Sequence, residues 1–412
     1  MSQVTMSSDT QATDPATNRP RLVVVSSVGI AQILAWGSSY YLTAVLAGPI
    51  AKDTGWARSW VVGALSIGLL VSGLVAPRVG HLIDRYGGRP VLAASAILLA
   101  CGLLTLGLAP TLPIFVVGWI IVGFGMGTGL YNPAFSTLAQ LYGDQARGAI
   151  TQVTLFGGFA STICWPLSAL LVEHIGWRGA CLAYAAIHIA IVLPLYLFGL
   201  PREQRRPPQI AMKANAARPG QVGPDQRLAF ILVASGFTLA SVIMTVIAVQ
   251  LITLMQAQGL ALAAAVGLGA LLGPSQVGAR VMEMAFGRKA HPIWTLVAST
   301  VLVAIGLGIL IGVPGISAAG IVLYGAGSGL RSIATGTVPL ALFGREGYAI
   351  LLGRIAMPTL IAQAAAPTIG IWLLGSFGAT TTLTVLCVAA VLNIFMVAAL
   401  IPFARHKPAI AG

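Results

Sequence analysis

The sequence predicts an all-α membrane protein, with twelve transmembrane helices arranged as two pseudo-symmetric six-helix bundles. Three observations predict it. Of 412 residues, 57% are hydrophobic and only 8% charged, and the mean hydropathy is +0.90; a soluble domain needs a charged surface that this composition cannot supply. Each crossing takes roughly 20 apolar residues, so twelve would consume about 240 positions and leave enough for short loops, one linker and two tails. A glycine-rich stretch, finally, recurs after about 200 residues: Gly125-Met-Gly-Thr-Gly-Leu130 and Gly325-Ala-Gly-Ser-Gly-Leu330, running on to Leu141-Tyr-Gly143 and Leu342-Phe-Gly344.

Residues 1–20 are rich in Ser, Thr, Gln, Asp and Pro without apolar periodicity. They are expected to form a disordered tail with no cleavable signal. Residues 21–199 form the first bundle, with spans near 22–44, 58–79, 90–108, 113–138, 150–172 and 179–199. Residues 200–227 carry Arg202, Arg205, Arg206, Lys213, Arg218 and Arg227, with Pro201, Pro207 and Pro208, the composition of a linker. Residues 228–403 form the second bundle, with spans near 228–254, 260–284, 292–312, 315–340, 349–374 and 379–402, and 404–412 form a tail. The 200-residue offset maps span four onto span ten and divides the chain at the linker.

Charge sets the orientation. Of 23 Lys and Arg, seventeen fall on the side of the termini and linker, three on the other (Lys52, Arg58, Arg178) and three within spans (Arg280, Arg331, Arg354). Positive charge is retained on the cytoplasmic side, so both termini are expected there, in an inner membrane. The net charge of +13 therefore reflects topology and implies no nucleic-acid partner. Cys101, Cys164, Cys181 and Cys387 lie singly in apolar runs, which argues against a metal site or disulfide framework. The five histidines are scattered, and no cluster suggests an enzyme.

Between spans two and three lies Gly80-His-Leu-Ile-Asp-Arg-Tyr-Gly-Gly-Arg89. It resembles the signature loop of the major facilitator superfamily, Gly-x-Leu-x-Asp-Arg-x-Gly-x-Arg. Gly80 and Gly87–Gly88 would allow a tight turn. Asp84 would hold a gate shut by accepting hydrogen bonds from a helix N-terminus or an arginine, and Arg85 and Arg89 would retain the loop inside. Glu283 and Gly287-Arg288 stand where Asp84 and Gly88-Arg89 stand in the first half, and Arg280 with Glu283 reads as an i,i+3 gate pair. Two features depart from the family's proton-coupled and drug-antiporter members. Trp119 occupies the span-four place of their arginine, and Phe156-Gly-Gly-Phe159 replaces their Gly-Pro-rich span-five signature.

The resemblance implies a monomeric secondary transporter working by alternating access, with spans one, four, seven and ten around a central cavity. Arg331 lies in span ten and its repeat mate Tyr131 in span four, so the two are expected to face each other. A guanidinium suits a carboxylate or oxyanion. Gln32, Trp36 and Tyr40 share one face of span one and, with Asn132 and Arg354, complete the candidate substrate residues. No ATP-binding loop occurs, so no cofactor is expected beyond a coupling proton, with Glu283 as its candidate carrier, or a counter-substrate. The expected substrate is a small organic anion, as in the oxalate/formate and monocarboxylate-like branches. The alternative is efflux of a toxic neutral or weakly acidic solute, a trivalent arsenical or a drug, in which Cys164 would matter.

Overall fold

A computed structural model describes residues 20–202, 220, 222–287, 290–312 and 314–405. The N-terminal tail, most of the linker and the last residues of the C-terminal tail, all assigned above from composition, lie outside the described residues. Among the described residues the structure is helical without strands. Nine stretches are long and apolar enough to cross a bilayer. Two of these, Ala146–Gly199 and Tyr348–Ala404, run 54 and 57 residues, about twice what one crossing needs. Each is broken once by a glycine in the left-handed region, Gly176 (φ 70°) and Gly378 (φ 77°), where the chain reverses between two spans. A 27-residue helix, Ser317–Phe343, is also long enough to cross, its hydropathy diluted by glycines, hydroxyls and Arg331. The architecture is consistent with twelve spans.

In order, span one is Arg21–Gly37 and Leu42–Thr54, span two Arg58–Tyr86, span three Gly88–Leu108, and span four Leu112–Gly129 and Tyr131–Tyr142. Span five is Ala146–Gly158 with 160–175, and span six is 177–199, containing a π-helical turn at His188–Val192. Span seven is Arg227–Ala257, span eight Leu262–Ala270 and Leu272–Phe286, span nine Pro292–Gly312 and span ten Ser317–Phe343. Spans eleven and twelve are 348–377 and 379–398.

Among the described residues the buried apolar side chains fall into two large clusters per half and a small one, Val79, Ile83, Val91 and Ala349, that joins the halves. In the first half one gathers around Leu103, Phe115 and Trp119 and the other around Leu92, Phe135 and Tyr196. In the second they centre on Val246, Leu307 and Leu383, and on Val233, Phe237 and Val338. The repeated glycines act as the small faces that let helices approach. A Cβ on Gly125 or Gly129 would meet Leu99 or Ser95 of span three, and one on Gly325 or Gly329 would meet Leu272, Ser275 or Gln276 of span eight.

The two halves meet along the side that carries the linker. Spans two and eleven cross where Gly80 abuts the Ala349 carbonyl and Gly353 abuts that of Ala76. Gly80 therefore does not turn the chain as expected. It lies inside span two, and its missing side chain admits a neighbouring backbone; the turn is made at Gly87 (φ 83°). Asp84 is exposed and makes no hydrogen bond among the described residues, so it does not hold this closed side. Arg89 instead ties its own half together, donating from Nε and Nη2 to the Leu197 carbonyl at 3.1 and 2.5 Å, and Arg85 lies over the Tyr86 ring.

The ionic latch lies between spans five and eight. Arg147 Nη2 meets Glu283 Oε1 at 3.1 Å and the Gly287 carbonyl at 2.9 Å, while Nη1 donates to the Ala290 carbonyl. Thr295 donates to the same Glu283 oxygen at 2.7 Å. The expected Arg280–Glu283 pair is thus replaced by a bond across the halves, in which Arg147 also donates to the Gly287 and Ala290 carbonyls of the turn beyond span eight. His291 beside it is held below its ordinary pKa by burial and then by the Arg147 charge. Neutral, its Nδ1 accepts the Ile293 amide at 3.2 Å and so caps span nine.

Replacing Gly353 by valine forces a side chain against the Ala76 carbonyl, an overpacking worth about 1–3 kcal/mol. The expected outcome is an opened linker side, read as at least about a fivefold faster maleimide alkylation of an Ala349→Cys reporter. An unchanged rate would show that this crossing does not hold the closure.

Candidate functional site

Mid-depth in the bundle, several spans lose their regular helix. Span one breaks at Ser38–Tyr41, span four at Leu130 (ψ −161°), span five at Phe159 and span eight at Leu271. Irregular backbone at membrane depth needs protein partners for its polar groups, and these partners build the site. Gln32 Nε2 donates to the Gly129 carbonyl at 2.7 Å. Ser39 Oγ donates to the Ala35 carbonyl at 2.5 Å, and Ser38 Oγ bonds His188 Nε2 at 2.7 Å.

The equivalent carbonyl of the second half, Gly329, receives Arg280 Nε at 3.3 Å, and Ser332 Oγ receives it at 3.0 Å. Arg280 is 5% exposed. Its Nη1 extends across the interface onto span five, into the place where a side chain on Gly158 would stand, and has no hydrogen-bond partner among the described residues. The neighbouring Gly157 seats the Tyr131 hydroxyl in the same way. This glycine pair, read in the sequence only as a missing antiporter signature, is a saddle that admits a guanidinium from one half and a phenol from the other.

Around the saddle stands a chain of rings. Tyr131 stacks on Phe135 (5.1 Å, 12°) and tilts against Trp36 (4.9 Å). Trp36 meets Tyr40 (5.5 Å) and Tyr41 (6.2 Å), and Tyr41 meets Trp165 (6.2 Å). The Trp36 indole Nε1 is buried without a partner. Arg280 lies within electrostatic range of Tyr41 and Tyr131.

The structure brings some of the expected residues together and separates others. Trp36 packs against both Tyr40 and Tyr131, with Asn132 half-buried beside Tyr131. Gln32 is fully buried and serves the broken backbone of span four, because an orphaned carbonyl in a dry bundle outcompetes a ligand. Arg331 does not face Tyr131. It is held in the second half by Met244 Sδ at 2.7 Å and the Phe237 carbonyl at 3.3 Å, with Tyr324 and Tyr40 in electrostatic range; Gln363 Nε2 joins Tyr40 at 3.4 Å. Arg354 does not reach the interior: its long side chain runs to the linker surface, donating to the Gly220 carbonyl at 3.0 Å and covering the Phe230 ring. Arg280, read as a gate residue, is instead the cation at the centre.

Among the described residues, two salt bridges occur, Arg147–Glu283 and Arg178–Asp53, so neither Arg280 nor Arg331 has a carboxylate partner. The cysteines do not converge: Cys101 is exposed, Cys181 is buried, Cys164 is wedged against Gly37 and Cys387 lies against the Ala304 carbonyl.

Comparison with known proteins gives the family and the fold. The profile described as the Major Facilitator Superfamily matches residues 28–290. The chain is 30% identical to monocarboxylate transporter 11 of Homo sapiens over 169 residues, 39% of this chain and 34% of that one. It is 27% identical to the 3-(3-hydroxy-phenyl)propionate transporter of Escherichia coli (strain K12) over 190 residues, 45% of this chain and 44% of that one. The aligned region thus spans between a third and a half of these relatives. Among solved structures, the human organic anion transporter MFSD10 superposes with a TM-score of 0.75 at 16% identity, covering 92% of this chain and 100% of the other. The proton:xylose symporter XylE superposes with 0.74 at 14%, covering 93% and 96%. At such identities the two structures share the fold.

Gly158→Ala places a methyl group where Arg280 Nη1 lies and should displace the guanidinium. Gly278→Ala, on the same helix as Arg280 but with open space around it, is the control. The expected result is about a tenfold or larger loss of transport, the order set by removing a charged hydrogen bond, in the first variant only. Equal activity in both would remove the saddle from the site.

Proposed function

The chain belongs to the Major Facilitator Superfamily, and on that premise we propose that it carries a small organic anion across the membrane by alternating access. That it is an integral, multi-pass transporter of a small molecule follows from the family. The substrate's charge is the proposal, and one observation carries it: Arg280 is a buried cation with an unpartnered nitrogen at the meeting point of both halves. A charge at membrane depth without a partner is costly and marks a pathway residue. An anionic substrate supplies the missing partner, and a guanidinium is suited to carboxylate. Arg331, beside Tyr40 and without a carboxylate of its own, adds to the positive field. The carboxylate named for both curated relatives supports the same reading.

In this reading both termini and the linker lie in the cytoplasm of a bacterial inner membrane, and one chain is the working unit. The closed linker side then leaves the site to be loaded from the other. Opening it to the cytoplasm requires Arg147 to leave Glu283 and the end of span eight, and Arg280 to leave its seat on Gly158. Glu283 is the candidate for a coupling proton: protonation removes the negative charge that holds Arg147 and so favours release. A counter-substrate anion is the other way to drive the cycle.

Uptake of a carboxylate panel into proteoliposomes tests the proposal. The wild type should accumulate at least one carboxylate, and Arg280→Gln should lose it by about 30-fold or more, the order for truncating one side of a buried charged contact. Arg331→Ala should weaken uptake while leaving expression and folding intact. Transport of neutral solutes alone, or full activity in Arg280→Gln, would overturn the anion assignment. Separately, Glu283→Gln should make any uptake that depends on a pH gradient insensitive to it. A retained dependence would move proton coupling to another residue.

A further inference from the structure

The cation of this site stands at the end of a row of rings, and that combination narrows the substrate. Trp36, Tyr40, Tyr41 and Tyr131 lie at mid-depth between the halves, yet each is only partly buried, whereas Phe135 behind them is fully buried. The front four therefore keep free surface where a carried molecule would stand. Tyr131 is flanked by Phe135 at 5.1 Å and Trp36 at 4.9 Å. Trp36, Tyr40 and Tyr41 stand mutually tilted or edge-on rather than stacked, an arrangement that presents both faces and edges to a ligand ring. A buried indole N–H normally finds an acceptor, but Trp36 Nε1 has none. The site thus holds two buried donors without an acceptor among the described residues, Arg280 Nη1 and Trp36 Nε1, with the Tyr131 and Tyr41 rings in range of both.

A short aliphatic anion such as propionate satisfies the first donor and leaves the rings and the indole uncovered. Resting on the anion reading above, we infer that the substrate is an aromatic carboxylate. Its carboxylate lies on Arg280 Nη1 and its ring is held against Trp36 and Tyr41. Ring-to-ring contact adds binding beyond area burial, by a factor of about 2 to 10. Area burial alone makes the opposite prediction, since a saturated ring of the same size is at least as hydrophobic.

The experiment compares 3-phenylpropionate, 3-cyclohexylpropionate and propionate by ligand-dependent thermal stabilisation of the full-length purified protein, as wild type, Trp36→Leu, Trp36→Phe and Arg280→Gln. The expected result is that wild type binds the phenyl acid at least about threefold more tightly than the cyclohexyl acid, and propionate weakest. Trp36→Leu should bring the phenyl and cyclohexyl acids level, Trp36→Phe should keep the preference, and Arg280→Gln should lose all three. Unliganded midpoints near wild type show that the variants fold, and should Trp36→Leu fail to fold, the wild-type ranking alone decides. If wild type binds the cyclohexyl acid or propionate as tightly as the phenyl acid, the aromatic class is overturned while the anion reading stands. If no carboxylate binds wild type, both are overturned.

Discussion

A backbone carbonyl or amide inside hydrocarbon must find its partner within the protein, and the central region of this transporter is organised by that requirement. Straight helices meet it automatically. Spans one, four, five and eight do not, because each is interrupted at mid-depth, and at two of these interruptions a polar side chain is fixed in place. Gln32 donates to Gly129 at the break in span four and Ser39 to Ala35 at the break in span one, while Arg280 reaches Gly329 inside the unbroken span ten. The site is therefore assembled first by the needs of the scaffold, and a ligand is offered what remains: one guanidinium nitrogen, one indole N–H and the free surfaces of several rings.

The two halves solve the same problem with different chemistry. Gly129 and Gly329 stand 200 positions apart at corresponding places of the repeat, and each carbonyl accepts a side-chain donor from a neighbouring span. In the first half the donor is a neutral amide, in the second a cation. The repeated framework thus carries a charge on one side only, and the asymmetry distinguishes two otherwise corresponding bonds. The aromatic residues are distributed the opposite way, Trp36, Tyr40, Tyr41 and Tyr131 all belonging to the first half. Charge comes from one half and rings from the other, so the full site exists only where the halves meet.

How much of this is legible in the sequence follows from what each feature depends on. Span positions are set by bilayer thickness and local hydropathy, both local properties, and the expected stretches agree with the observed helices to within several residues for most spans. The glycine repeat reports helix contacts faithfully because close approach depends on having no side chain, whichever way it points. Arg280 is not legible in the same way. Its spacing from Glu283 shows that the two share a helix face, but a guanidinium on a long flexible stem can reach acceptors on another element, here Gly329 and Ser332 of span ten. Arg147 is one of many basic loop residues until the end of span eight is seen beside it. Gly157–Gly158 did carry a signal, two adjacent small residues in a spanning helix, which makes sense only once the side chains that fill the gap are known.

The grip of Arg147 on span eight reaches further than closing one side. The carbonyls of Gly287 and Ala290 lie just beyond that helix, and the guanidinium that donates to them belongs to the opposite half. The turn leaving span eight, already closed by the Ala290 amide on the Gly287 carbonyl, thus gains a second donor in trans, which it keeps only while the halves are together. Parting them removes that donor and loosens the turn, and the chain entropy released offsets part of the free energy of breaking the ionic contact. Secondary structure and carrier movement are then one equilibrium: amide exchange near residue 287 should report how often the protein turns over, even with no substrate in sight.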